Sequence, residues 1–394
     1  MSSTVLCTQH DNATILTLNR PRKLNALNLP MIHELSDGFQ HAQAQRSSSI
    51  ILDGAGGKAF CAGGDVAAVR AAGLGLEGDP SLTREFFFHE YRLNKLIGDI
   101  NATIPQISIW DGITMGGGVG ISIHGKFRVC TEKTLFAKPE TAIGLFPDVG
   151  ASHFLGNMAG STGAYIALTG ARLKANDLMY SGLATHYIAS DKIAALCTAL
   201  SQVEASTAQT HQVQQVLDTF QAKSTPVDVN MGVFGKHRHT IDQVFSKSTV
   251  EEIVLELKTI ETATSLDKET QVFATETLQS LRSMSPTSLK ITLEQVRHAT
   301  TRSLSLGECL KMEYRMCQTL MKNTESDFYE GIRAVLVDKD RNPQWSPATL
   351  EEVDDRVVQK HFQMLSKEEE LHFDALWLVL FERVVLNFVQ TSNT

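Results

Sequence analysis

The sequence predicts an α/β core followed by an α-helical region. Two observations predict it. Up to about residue 191, short β-rich runs alternate with glycine turns and helical runs, and from 250 to 320 the apolar period is helical throughout. A third bounds the choice: 394 residues with 42% hydrophobic and 20% charged content suffice for one large packed domain with helical additions, or for two modest domains.

In chain order, residues 14–18 (TILTL) are a β-rich run ended by Asn-Arg-Pro, a strand and then a turn. Residues 30–41 place Ile32, Leu35 and Phe39 at helical spacing, 49–52 return to strand character, and 54–57 end that strand in glycines. A second unit follows, extended at 105–110, turning at 112–118 and helical to 124; a third starts at 127–130. Residues 201–225 are rich in Gln, Ser, Thr and Ala and read as a helical or loop insertion with little chemistry. Long amphipathic segments at 287–296 and 306–321 belong to the helical region, and the chain shows no internal repeat. The expected division is a core over 4–200, a variable insertion over 201–270, a C-terminal helical region over 271–352 and an extension over 353–394.

Composition excludes some classes of function. A net charge of −8 gives no broad attraction to nucleic acid or to an anionic membrane, although a local basic patch can still hold a polyanionic ligand. The six cysteines, at 7, 61, 130, 197, 309 and 317, have no short-range pairing and read as reduced, buried thiols. No zinc spacing is present, so no metal is expected; His237-Arg238-His239 lacks cysteine partners and reads as a solvated loop. The first 18 residues show neither an apolar signal core nor an Arg-rich presequence, and Ser-Asn-Thr at the end is no peroxisomal address. The apolar run at 375–381 is broken by Glu382 and Arg383, far short of the ~20 residues that span a bilayer.

Three glycine-bearing segments carry the chemistry. Residues 54–65 (GAGGKAFCAGGD) match a dinucleotide fingerprint poorly, because Ala59-Phe60-Cys61 interrupts the glycines. They read as a strand end that turns sharply and exposes N–H groups near Gly63 and Gly64, or as an ordinary turn. Residues 114–120 (TMGGGVG) precede an apolar run, and free N–H groups at such a helix start attract developing negative charge. Close helix packing explains the same glycines. Neither run has a P-loop ending, and two turns each offering one N–H are what an oxyanion hole requires. Residues 138–150 (KPETAIGLFPDVG) hold Glu140 and Asp148 eight positions apart among apolar neighbours. Such surroundings disfavour the charged carboxylate and suit general acid or base work. A helix start after Pro139 and a turn after Pro147 account for the same two residues structurally.

Together these segments resemble the crotonase, or enoyl-CoA hydratase/isomerase, superfamily. LNRPRKLNAL, KAFCAGGD, the GGG turn and PE followed by G-x-x-P come in that family's order and spacing. The detail is similar to its 3-hydroxyisobutyryl-CoA hydrolase subfamily: ITMGGGVGISIHGKFRV, TEKTLFAKPETAIGLFPDVG, LTGARLK with GLATHY, SPTSLKITL and EGIRAVLVDKDRNPQW. The match runs from about residue 14 to about 350 and is thin between roughly 200 and 270.

The resemblance implies a crotonase-like spiral of ββα repeats with a C-terminal α-helical region that completes the active site. It also implies roles. Gly64 and Gly117 match the two amides that hold a thioester oxygen, Glu140 the catalytic glutamate, and Glu90 in HEYRL a substrate-contacting glutamate. Asp148 stands where hydratases carry glycine and the hydrolase carries aspartate. Coenzyme A, a part of the substrate and not a separate cofactor, would lie against the backbone near Lys23, Leu24 and Ala26, its phosphates near Arg22, Lys23 and Lys339.

Where a hydratase has its second catalytic glutamate this chain has Gly120, and no acid follows the turn until Glu132. That departure favours thioester hydrolysis over hydration. His89 and Ala151-Ser152-His153 also depart from the family pattern, with no direct bearing on the chemistry. The expected activity is hydrolysis of a short 3-hydroxyacyl-CoA in valine breakdown. The alternatives are an enoyl-CoA hydratase/isomerase or a structural component of the mitochondrial ribosome. The implied partner is a small acyl-CoA, with no direct nucleic-acid or membrane contact and homo-oligomerisation left open. The family implies the mitochondrial matrix, with the cytoplasm as the alternative because no presequence is visible.

Overall fold

A computed structural model of the chain describes residues 3–373. The apolar run at 375–381, and with it the tail beyond 373, lies outside the described residues.

The chain opens with strands β1 (Val5–His10) and β2 (Ala13–Leu18), helix α1 (Leu29–Ala44), β3 (Ser49–Gly54), β4 (Ala59–Cys61), and helices α2 (Val66–Gly73) and α3 (Leu82–Ile100). It continues through β5 (Gln106–Trp110), β6 (Ile113–Met115), α4 (Gly117–Ile123), β7 (Phe127–Cys130) and β8 (Leu135–Ala137). Then come α5 (Ala151–Gly156), α6 (Thr162–Thr169), α7 (Ala175–Ser181), the two-residue β9 (His186–Tyr187), α8 (Ile193–Ser201) and α9 (Gln209–Ala222). The rest is helical: α10 (Val233–Phe245), α11 (Val250–Thr262), α12 (Lys268–Ser283), α13 (Pro286–Arg302), α14 (Leu306–Met321), α15 (Asp327–Ile332) and α16 (Asp355–Lys360).

From β3 onward, successive strands alternate between two sheets. One has the order β1-β2-β3-β5-β7-β9, parallel except for the β1–β2 hairpin, and the other is β4-β6-β8, wholly parallel. Each turn of the chain therefore adds one strand to the large sheet, one to the small sheet, and then a helix. This is a spiral of ββα units. Parallel strands need cover on both faces, which is why β5 is buried at every position and β3 is buried from Ser49 to Leu52. On one face Ile51, Ile107, Ile109 and Val129 pack under Leu196 and Leu200 of α8 and Val213 and Leu217 of α9. The polar stretch around 201–225 thus contributes a roof to the sheet.

The C-terminal helices close over the other side. α14 packs on α3, and α13 packs on α5 and α6. Their starts are well marked: Ser305 and Glu308 form a capping box at α14, and Ser285 caps α13 ahead of Pro286.

Several expectations need correction. β1 was not foreseen, because as an outer strand it buries only Val5 and shows no alternation. The 112–118 turn contains β6, too short to announce itself. His237-Arg238-His239 lies inside α10, with the His237 ring stacked on Phe273 at 4.3 Å, and is not a loop. Four cysteines are buried, but Cys7 is exposed and Cys197 half-buried.

Candidate active site

The site grows from the ends of the three strands of the small sheet. β4 and β6 are parallel neighbours, so the turns that leave them emerge side by side. After β4, Leu27 N donates to Gly63 O at 2.8 Å and Asp65 N donates to Leu27 O at 2.7 Å. These bonds straddle Gly64 and pin its turn while leaving its own N–H unused. After β6, Gly116 adopts φ 49° and ψ −124°, a conformation open to glycine, and swings the chain into α4. Gly117 is the first residue of that helix, where N–H groups have no partner in the helix itself.

A Cβ placed on Gly117 would sit 3.4 Å from Gly64 N and would collide with Glu90 Oε1. The two amides thus border one small space. Among the described residues neither donates to a protein acceptor.

β8, beside β6, delivers the acids. Beyond it Lys138 and Pro139 lead into a 3-10 turn over Glu140–Ile143, ended by Gly144 in the left-handed region. Glu140, Asp148 and Glu90 are all buried, yet all three touch a cleft of about 760 Å³ that Gly64 and Gly117 also line. Glu140 Oε1 comes 3.6 Å from the Cβ position of Gly116, the residue before Gly117. Lys138, fully buried, places its Nζ 2.7 Å from Glu140 Oε1 and 3.5 Å from Asp148 Oδ1. This 2.7 Å ion pair is the closest polar contact Glu140 makes, and its other oxygen, Oε2, has no hydrogen-bond partner among the described residues. Tyr91 Oη donates to Asp148 Oδ2 at 3.0 Å.

Burial dominates the ionisation of this group. It raises the Glu140 carboxyl to about 7, against the pull of Lys138 and with the push of Asp148. Burial and then the charge on Asp148 raise Glu90 well above its ordinary carboxylate value, favouring the neutral form. Burial alone would lower Lys138, but Glu140 and Asp148 reverse the sign and hold it charged.

The loop carrying Asp148 is clamped by the C-terminal helices. Glu313 of α14 accepts from Gly150 N at 2.6 Å, Ser152 N at 2.8 Å and Ser152 Oγ at 2.6 Å. Gln295 of α13 donates to Pro147 O at 2.5 Å and to Ser152 Oγ at 2.8 Å. Ser152, set aside in the sequence as a departure without chemical bearing, is therefore part of the support for Asp148.

The cations divide. Of the residues expected near coenzyme A, Lys23 and Ala26 line the cleft, whereas Arg22, Leu24 and Lys339 do not. Arg172 and Arg341 line it instead. Reading the sequence also missed Lys138, Tyr91 and Glu313. Each left a signal: a lysine in the apolar run LFAKPETAIGLF, a tyrosine beside Glu90, and a glutamate among Leu310, Met312, Tyr314 and Met316.

A family model described as "Enoyl-CoA hydratase/isomerase" matches residues 13–362. The chain is 45% identical over 365 residues to "3-hydroxyisobutyryl-CoA hydrolase, mitochondrial" of Xenopus laevis, covering 92% of this chain and 90% of that protein. It is 42% identical over 356 residues to the Homo sapiens protein of the same description, covering 90% and 87%. Among solved structures it is similar to a carnitinyl-CoA dehydratase from Mycobacterium thermoresistibile, at TM-score 0.81 and 34% identity, over 95% of this chain and all of that one. It is also similar to an enoyl-CoA hydratase from Rhodobacter sphaeroides 2.4.1, at TM-score 0.79 and 31% identity, over 94% of this chain and all of that one.

Proposed function

The chain belongs to the enoyl-CoA hydratase/isomerase family, and from that premise we propose that it hydrolyses 3-hydroxyisobutyryl-CoA to 3-hydroxyisobutyrate and coenzyme A. The observation that carries this reading is the meeting of two amides, Gly64 and Gly117, that donate to no protein acceptor among the described residues, in a cleft that Glu140 and Asp148 also line.

The thioester oxygen accepts hydrogen bonds from the two amides. Glu140 either attacks the carbonyl carbon, giving an acyl anhydride, or takes a proton from a water that attacks. Both routes put negative charge on the oxygen, where the amides stabilise it; one such donor is typically worth ~3 kcal/mol. Collapse breaks the carbon–sulfur bond and releases the thiolate; on the anhydride route a water then cleaves the anhydride, releasing the free acid and restoring the Glu140 carboxylate. Asp148 holds the 3-hydroxyl and assists protonation of the departing sulfur, while Glu90 orients the same end of the acyl chain. The thioester arrives activated, so the reaction draws on no separate cofactor.

Hydration of an enoyl-CoA is the rival, and one detail counts against it. A Cβ on Gly120 would collide with Cβ of Val149, so no acid fits where a second one is needed. Glu132, the next acid, is exposed and bonded to Ser190.

Thiol release from 3-hydroxyisobutyryl-CoA, with enoyl absorbance followed in parallel, tests the reading. Wild type should release thiol and Glu140→Gln should lose at least ~10³-fold in kcat. Equal rates for the two proteins, or enoyl turnover without thiol, would overturn it. Repeated turnover in heavy-oxygen water labels Glu140 on the anhydride route and leaves it unlabelled on the other. The relatives named as mitochondrial support a mitochondrial location, which fractionation tests.

A further inference from the structure

Lys138 plays no part in the chemistry above, and its position is costly. A buried ammonium is found where opposite charges and hydrogen-bond acceptors compensate it. Here Nζ reaches both acids: 2.7 Å to Glu140 Oε1 and 3.5 Å to Asp148 Oδ1, with a hydrogen bond donated to the Asp148 carbonyl O at 3.1 Å. It is fully buried and does not line the cleft, so it stands behind the two carboxylates and away from substrate.

We propose that Lys138 is a positioning residue that bridges Glu140 and Asp148 from behind, fixing their spacing and supplying the counter-charge that Glu140 needs in its working form. The proposal rests on the hydrolase reading, since it assigns Glu140 its working, charged form.

The surroundings make the counter-charge necessary. Facing the pair are Glu90 and Tyr91 from α3 and Glu313 and Cys317 from α14. Asp327 of α15, which packs on the 3-10 turn, is turned away to Ser285 Oγ and Ser346 N. Those groups are acids or weaker acids, and His124 at the end of α4, which feels the Lys138 charge, is pushed down to about 4 by burial and stays neutral. The cleft's other cations, Lys23, Arg172 and Arg341, line its wall, whereas Lys138 reaches both carboxylates from behind. Without Lys138 the burden falls on Glu140, the carboxylate that the ammonium approaches most closely. Burial already lifts Glu140 in the presence of the ammonium, and Lys138 opposes that lift. A neutral side chain at 138 leaves it unopposed.

The test is the pH profile of kcat/KM for thiol release by Lys138→Met, which keeps length and removes charge. The acid limb should move up by at least one pH unit and activity at pH 7 should fall at least tenfold, recovering above pH 9. Lys138→Arg should keep the wild-type limb. A Lys138→Met limb that coincides with wild type, or an equal loss at every pH, overturns the proposal. Should Lys138→Met fail to fold, Lys138→Ala assayed with added ethylammonium decides: restored turnover at pH 7 supports the bridge, and none overturns it. Glu140→Gln separates the two ideas. If it is inactive while Lys138→Met is unshifted, only the bridge falls; if it is active, the hydrolase reading falls.

Discussion

Ser152 at the start of α5 and Glu313 on α14 are joined twice, Ser152 N and Oγ both donating to Glu313 Oε1 across 161 positions of sequence. With Gly150 N on the other carboxylate oxygen, this contact fixes the loop two residues beyond Asp148. Glu313→Ala leaves two buried backbone N–H groups without acceptors, which should cost about 2–4 kcal/mol of stability. It should also lower kcat for thiol release more than it raises KM, because Asp148 loses its support while the rest of the cleft stays. Glu313→Gln keeps an acceptor oxygen and should fall between. Urea unfolding and steady-state kinetics on the two variants check this; a Glu313→Ala protein as stable as wild type would contradict it.

Glu140 couples stability to pH. Burial lifts it from 4.5 to about 7 in the folded chain, so the fold favours the neutral acid. A group raised in this way contributes stability that is fully present below pH 4.5 and is lost as pH rises through about 7. That displacement corresponds to about 3 kcal/mol. Glu140→Gln cannot ionise and escapes the loss, though Lys138 then lacks its nearest partner. The variant should match wild type near pH 4.5 and exceed it by on the order of 1–2 kcal/mol at pH 8. Urea midpoints at the two pH values measure the difference. A wild-type advantage that grows toward pH 8 would have the wrong sign.

Gly117→Ala probes the amide pair. The methyl group would press on Glu90 Oε1, the movable end of a side chain, and crowd Gly64 N at 3.4 Å. The fold should tolerate it, but the space for a thioester oxygen would be filled. The expected result is a loss of ~10²–10³-fold in kcat, the scale of a missing oxyanion donor, with the affinity for coenzyme A nearly unchanged. Kinetics and calorimetric titration with coenzyme A separate the two effects.

How far the site could be read from the sequence follows from what is local. GGD at 63–65 and GGG at 116–118 announce turns by composition, and Glu140 and Asp148 stand out among apolar neighbours. That these segments meet is a property of the small sheet, whose strands have three residues each and no period long enough to detect. Glu313 lies beyond local reading for another reason. On a helix, a glutamate in an apolar face looks like a misplaced surface residue until the 150–152 backbone that consumes its charge is in view. β1 escaped because only one of its side chains is buried.

The cations at the cleft give the last prediction. Lys339 was expected to meet the phosphates of coenzyme A, but Arg341 lines the cleft instead. The reason lies in Arg333, which pairs with Asp338 at 2.6 Å, Asp340 at 2.7 Å and Glu330 at 2.7 Å. Those pairs fold the 338–341 segment back, through positive φ at Lys339 and Arg341, until Arg341 N donates to Ala334 O at 3.0 Å. Arg341 is thereby held at the cleft while Lys339 is left in solvent. Arg172, just before α7, lines the same cleft. Arg341→Ala and Arg172→Ala should each raise KM for the acyl-CoA several-fold with little change in kcat, and should flatten the dependence of KM on salt, since screened phosphate contacts are what they remove. Lys339→Ala and Arg22→Ala should leave both unchanged. If Lys339→Ala alone raised KM, the phosphates would have to lie outside the cleft.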